Sequence, residues 1–133
     1  MVGNRIAYLD TSAYVKLPLR EAEDKALLRE LVEWEGFVSS SLLGVEALRA
    51  CARYGAKYER AAREWMEGLS LLPIDDGVLD VAAELEPAGL RSLDALHLAT
   101  AISLGDEVGV FFTYDDRLVR AAEENGLTVA QPV

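Results

Sequence analysis

Apolar and polar positions follow two different rhythms along this chain. Short apolar runs at Ile6-Ala7-Tyr8-Leu9, Phe37-Val38-Ser39, Leu69 to Ile74 and Val108 to Thr113 predict four β-strands. Each is too short for a stable helix and is bounded by polar or turn residues. Helical periodicity fills the gaps. Over 21–34, Leu27, Leu28, Leu31 and Trp34 share one face, which predicts a helix stopped by Gly36. Ser40 or Ser41 can cap a helix that runs through Glu46 to about Tyr54. Gly55 breaks that pattern, and a further helix is expected from Lys57 to Met66. Asp75-Asp76 opens a helix over 77–86, closed by Pro87 and Gly89. Ser92 can cap a helix from Leu93 to Leu104 that is apolar almost all round and should therefore be buried. Asp115 begins the last helix, which Asn125-Gly126 ends, and Thr128-Val129-Ala130 can add a short fifth strand.

Strands alternating with helices imply a parallel sheet covered on both faces. The predicted fold is α/β: a three-layer α/β/α sandwich around a central parallel sheet of four to five strands. In such folds the chemistry lies outside the carboxyl ends of the strands, where the strand order reverses. The residues to inspect are thus those just after Leu9, Ser39 and Thr113.

Acids stand there. Asp10 directly follows the first strand, Glu46 lies in the helix after the second, and Asp115 and Asp116 follow the fourth. Asp94 sits in the first turn of the apolar helix. Taken singly, each aspartate reads as a helix cap and Glu46 as a solvated charge. Taken together they would repel one another and raise one another's pKa unless a cation neutralised them. Carboxylate oxygens, without several cysteines or histidines, suit Mg²⁺ or Mn²⁺ rather than Zn²⁺. Such an ion can activate water and stabilise an in-line phosphoryl displacement.

Composition narrows the field. The 133 residues fit one domain spanning 1–133, with one core, and 51% hydrophobic against 27% charged types is the balance of a globular protein. Cys51 is the sole cysteine and His97 the sole histidine, so an internal disulfide and a Cys-rich zinc site are excluded. The opening residues reach Asp10 before a signal-peptide core forms, and no apolar run spans a bilayer, so a cytoplasmic protein without a membrane association is expected. A net charge of −10 argues against general coating of nucleic acid. It is unevenly spread. Residues 47–63 hold Arg49, Arg53, Lys57, Arg60 and Arg63 against Glu59 alone, a local +4 that leaves −14 elsewhere. Arg49 and Arg53, one helical turn apart and close after Glu46, are candidates for RNA phosphate contact, as are Lys16 and Arg20. A solvated helix face explains the same charges.

Four segments carry a resemblance. Tyr8-Leu9-Asp10-Thr11-Ser12-Ala13-Tyr14-Val15-Lys16-Leu17 is similar to the opening motif of PIN-domain nucleases. The stretches around Glu46, around Asp94 (Leu93-Asp94-Ala95-Leu96-His97-Leu98-Ala99-Thr100-Ala101) and around Thr113-Tyr114-Asp115 resemble their second, third and fourth motifs, in the family's order and over nearly the whole chain. A stand-alone domain of this length most resembles the VapC-type toxins of toxin–antitoxin pairs. The resemblance implies a PIN-like fold and a metal-dependent endoribonuclease with Asp10, Glu46, Asp94 and Asp115 as catalytic, metal-holding acids for Mg²⁺ or Mn²⁺. It implies supporting roles for Thr11, Ser12 and Thr113, and favours Asp115 over Asp116 as the fourth acid, leaving Asp116 a helix-start or outer role. Asp10, Asp94 and Asp115 would hold an ion at the scissile phosphate, while Glu46 fixes a second ion or orients the attacking water. A small antitoxin partner and a homodimer are further implications.

Other readings compete. A catalytically inactive PIN-like binding module keeps the fold without the chemistry. An aspartyl-phosphate phosphatase would use Asp10 as nucleophile, but needs a second Asp where Ser12 stands. A receiver domain needs a late Lys, and none follows Lys57. A dinucleotide site needs a glycine-rich turn after the first strand, which is absent. Among single residues, His97 lies three after Asp94 and could bond it, though a satisfied buried histidine is the simpler role; Cys51, Trp34, Trp65, Tyr54 and Tyr58 read first as packing.

Overall fold

The computed structural model describes residues 5–133; the first four positions of the expected domain lie outside them. The strands are β1 (Ile6–Leu9), β2 (Gly36–Ser40), β3 (Ser70–Leu72), β4 (Val108–Phe112) and β5 (Val129–Ala130). All neighbouring pairs are parallel, in the order β3-β2-β1-β4-β5. The chain therefore winds outward from β1 in one direction and then returns to β1's other side. The order reverses between β1 and β4, so the ends of these two strands form the crevice where side chains from separate segments can meet.

Period-two alternation divides the core. Tyr8 and Phe111 face one side of the sheet, where Leu98 and Ala101 of α7 (Ser92–Ser103) and Leu118 and Ala121 of α8 (Asp116–Glu124) cover them. Ala7, Leu9, Val110 and Phe112 face the other side. Ala13 of α1 (Thr11–Tyr14), Leu17 of α2 (Lys16–Leu19) and Leu27 and Leu31 of α3 (Asp24–Leu31) pack there. Burial on both faces explains why the strands read as continuous apolar runs. The remaining helices are α4 (Ser41–Ala52), α5 (Ala56–Met66) and α6 (Asp76–Glu84).

Several boundaries differ from the pattern-based expectation. The helix expected over 21–34 is shorter, because the chain turns after Leu31 and Val32 is left exposed. Two one-turn helices, α1 and α2, follow Asp10, whose reading as a helix cap gave no bounds for the helix it starts. Ser92 is the first residue of α7 rather than its cap; Arg91 holds the cap position and its side chain makes no capping bond. The all-round apolarity of α7 does signal burial, as Ala95 and the run from His97 to Ala101 are buried. Gly126 ends α8 with φ +85°, a left-handed conformation that glycine adopts without a Cβ clash. Among the described residues no helix is long and apolar enough to cross a membrane.

Candidate active site

Asp10 leaves the end of β1 and caps α1, which places its carboxylate in the crevice between β1 and β4. It is 3% exposed. One oxygen, Oδ1, accepts from the Ser12 hydroxyl (2.7 Å) and the Ala13 N–H (2.9 Å). The other, Oδ2, accepts from the Thr113 hydroxyl at 2.6 Å. Burial raises the Asp10 pKa above the ordinary carboxylate value, although the three donors act against that rise. The carboxylate is therefore held in a place that penalises its charge.

Thr113 follows β4 and is fully buried. Besides donating to Asp10, its oxygen accepts from the Asp115 N–H at 3.1 Å. Ser12 in turn accepts from the Tyr114 N–H at 2.9 Å. These short polar side chains tie the turn after β4 to the turn after β1. Asp115 caps α8 by accepting from the N–H groups of Arg117 (2.9 Å) and Leu118 (3.4 Å) through Oδ1. Its Oδ2 accepts from the Arg91 guanidinium at 3.1 Å. The same guanidinium donates to Asp94 Oδ2 at 3.1 Å. Arg91 thus bridges two of the candidate acids, and Asp94 is its largest electrostatic partner, raising its pKa. Asp116 is exposed on the first turn of α8 and accepts from Gln131 at 3.3 Å.

Glu46 reaches the site from α4. Its Oε1 accepts from the Thr11 hydroxyl (2.5 Å) and lies 3.0 Å from His97 Nε2. Burial pushes its pKa up, but the bonds from His97 and Thr11 outweigh burial and hold it below the ordinary glutamate value. On its far side, His97 Nδ1 lies 2.8 Å from the Tyr8 hydroxyl. The set closes when Tyr8 O–H donates to Nδ1 and Nε2–H donates to Glu46, a neutral tautomer assigned from its partners. His97 is buried and satisfied as expected, but its partners are Glu46, Thr11 and Tyr8 rather than Asp94.

The four acids therefore fall into two adjacent polar sets, which meet where Thr11 follows Asp10 in the chain. Asp10 connects through Thr113 to Asp115, Asp115 through Arg91 to Asp94, and Thr11, next to Asp10 in the chain, connects to Glu46. Arg49 and Arg53 are exposed and line a cleft of about 550 Å³ with Thr11 and Glu46. Lys16 differs from expectation. Its ammonium pairs with Glu23 (2.7 Å) and Glu21 (3.7 Å) and lies over the Tyr114 ring (4.5 Å), so its charge is met within the chain rather than offered to phosphate. Cys51 is buried, as a packing residue should be.

Sequence reasoning missed Arg91 as a partner of the acids. The i, i+3 spacing to Asp94 was a visible signal; the link to Asp115, 24 residues on, was not. As a cation site the grouping offers oxygen donors, and it already places one cation, Arg91, between Asp94 and Asp115. Among the described residues no three His, Cys, Asp or Glu side chains form a ready-made cage. The donor chemistry, carboxylate oxygens with no cysteine among them, suits a hard divalent ion.

Residues 7–124 match the PIN domain family. Ribonuclease VapC46 of Mycobacterium tuberculosis (strain ATCC 25618 / H37Rv) is 46% identical over 125 residues, 94% of this chain and 96% of that protein. Ribonuclease VapC47 of Mycobacterium tuberculosis (strain CDC 1551 / Oshkosh) is 41% identical over 131 residues, with the same coverage of 94% and 96%. Among solved structures, VapC20 of Mycobacterium tuberculosis, described as a sarcin-ricin loop cleaving toxin, superposes with TM-score 0.74 at 15% identity, covering 95% of this chain and 99% of that one. The VapBC2 structure from Rickettsia felis, bound to a promoter DNA fragment, gives 0.73 at 17% identity, covering 96% and 99%. At such identities these likenesses speak for the three-layer fold alone.

Proposed function

The chain belongs to the PIN-domain family, and from that premise we propose that it is an endoribonuclease, the toxin of a VapBC-type toxin–antitoxin pair. Residues 1–133 form its single PIN domain in this reading. The observation that carries it is the grouping of four acids at the reversal of strand order: Asp10, Asp115 and Asp94 linked through Thr113 and Arg91, and Glu46 bonded to Thr11 beside Asp10.

Asp10, Asp94 and Asp115 would hold Mg²⁺ or Mn²⁺, with Glu46 close by. When bound, such an ion supplies positive charge at the scissile phosphate and acidifies a water for attack. The residues do the rest. Thr113 and Ser12 fix both Asp10 oxygens, so the acid is aimed before substrate arrives. Glu46, kept ionised by Thr11 and His97, accepts a proton from the attacking water. The water's oxygen bonds to phosphorus, the bond from phosphorus to the sugar 3′-oxygen breaks, and that oxygen takes up a proton from a solvent water while Glu46 returns its proton to solvent. The product ends are a 5′-phosphate and a 3′-hydroxyl. Asp115 is proposed over Asp116 as the fourth acid, a choice supported by its sharing Arg91 with Asp94 while Asp116 accepts from Gln131.

A small antitoxin is the proposed protein partner, and a cytoplasmic homodimer the proposed form. Structures similar to this chain include toxin–antitoxin complexes, among them one from Klebsiella pneumoniae with TM-score 0.71. A groove lined by Leu28, Val32, Trp34 and Trp65, on a chain of net charge −10, suits an apolar and basic antitoxin segment. The test is to induce the protein in cells and sequence the new RNA ends. Wild type should yield discrete 5′-phosphate ends that Asp10→Asn does not; the same ends from both proteins would defeat the assignment.

A further inference from the structure

The acids are flanked by two clefts, and sequence charge counting pointed to one of them. That one runs past Glu46, Leu93, Arg49 and Arg53. The second, about 300 Å³, opens beside Asp94, one residue along α7 from Leu93. Arg91, Arg117 and Arg120 line it, and Glu124 is its other acid. Arg117 and Arg120 sit one turn apart on α8, so they share a face. Both are exposed, and among the described residues neither has an ion-pair partner. Arg91 stands at the boundary, its guanidinium on Asp94 and Asp115.

On a chain of net charge −10, unpaired arginines next to a carboxylate cluster call for an explanation. We propose that the Arg117–Arg120 cleft binds backbone phosphates of single-stranded RNA on the opposite side of the scissile bond from Arg49 and Arg53. This rests on the ribonuclease reading and adds a second subsite to it. Guanidinium groups match phosphate oxygens in paired hydrogen bonds. A single strand crossing the acids gathers cations from both clefts, whereas a compact anion meets Glu46 beside Arg49 and Arg53 in one, or Asp94 and Glu124 beside Arg117 and Arg120 in the other, where Arg91 is already paired. An acidic peptide fits less well, because it brings more carboxylates to Asp94 and Asp115 without a phosphate to be cut.

The test measures binding, not cleavage, in an Asp10→Asn background. The probe is a short fluorescein-labelled single-stranded RNA of randomised sequence, followed by anisotropy across a salt titration. Replacing Arg117 and Arg120 together with Ala should lower the slope of log K against log salt by about 1.4, at about 0.7 per phosphate contact on a single strand. Between about 50 and about 200 mM salt, the variant should lose roughly sevenfold less affinity than its parent. The double Lys variant should retain the slope. Arg29→Ala, exposed on α3 outside both clefts, should change nothing. Unaltered thermal melting of the exposed-residue variants checks folding. If Arg49→Ala with Arg53→Ala reduces the slope and the Arg117/Arg120 pair does not, the second subsite is overturned and the ribonuclease reading stands. An equal drop for Arg29→Ala means diffuse attraction and also overturns it. An Asp10→Asn protein that binds no single-stranded RNA, or one that still cuts it, overturns both. RNA affinity retained while capture of an acidic peptide is lost assigns the cleft to a protein partner instead.

Discussion

Thr113→Val isolates the bond that aims Asp10. Valine keeps the shape and removes the hydroxyl that donates to Asp10 Oδ2 at 2.6 Å and accepts from the Asp115 N–H at 3.1 Å. A buried hydrogen bond to a charged group contributes about 1.5–3 kcal/mol. With an unfolding entropy of about 2.1 cal/mol/K per residue, a chain of this length loses about 3.6 °C of Tm per kcal/mol, so the variant should melt about 5–11 °C lower at neutral pH without divalent metal. The effect should depend on pH in a set direction. Burial already raises the folded Asp10 pKa, and removing a donor to the charged form raises it further. The difference between wild type and variant is complete where Asp10 is ionised in both. It is lost as pH falls through the folded Asp10 pKa, which lies above the ordinary aspartate value. Thermal melts in EDTA across the acid range measure this. A deficit under 0.5 kcal/mol, or one that stays constant through acid, would refute an ionised Asp10 held by Thr113.

Asp10→Asn should abolish cleavage yet leave the metal-free protein at least as stable as wild type at neutral pH. The raised Asp10 pKa gives wild type stability that is present below the unfolded pKa and lost as pH rises through the folded one, a loss Asn does not suffer; matched melts at neutral and acid pH check it. Mg²⁺ at 100 times its Kd should add about 2.7 kcal/mol to wild type in a melt, and much less to Asp10→Asn. Tyr8→Phe strands His97 Nδ1 in the core and should cost about 1–3 kcal/mol by urea unfolding.

The strands, the helices and the positions of the acids were legible in sequence because each is a local pattern. Tyr8 and Ala7 take opposite faces by simple alternation, and Asp10 and Asp115 cap helices as local chemistry suggests. What was not legible depends on contacts far apart in sequence. His97 meets Glu46 across 51 positions and Tyr8 across 89, so spacing to Asp94 alone suggested the wrong partner. Lys16 resembled a free cation until folding brought Glu21, Glu23 and Tyr114 around it. Arg117 and Arg120 show their one-turn spacing in sequence, but only the folded chain brings them beside Asp94.

If the four acids form a metal-dependent ribonuclease site, purified protein should cut RNA in a way that depends on both metal and acids. Single-stranded RNA is incubated with wild type and with Asp10→Asn, Glu46→Gln, Asp94→Asn and Asp115→Asn, each in Mg²⁺ or Mn²⁺ and in EDTA, and the product ends are read. Wild type should cut only with metal and leave 5′-phosphate ends, while each variant slows by about a hundredfold or more. Cleavage that persists in EDTA, or that survives Asp10→Asn at the wild-type rate, is incompatible with such a site.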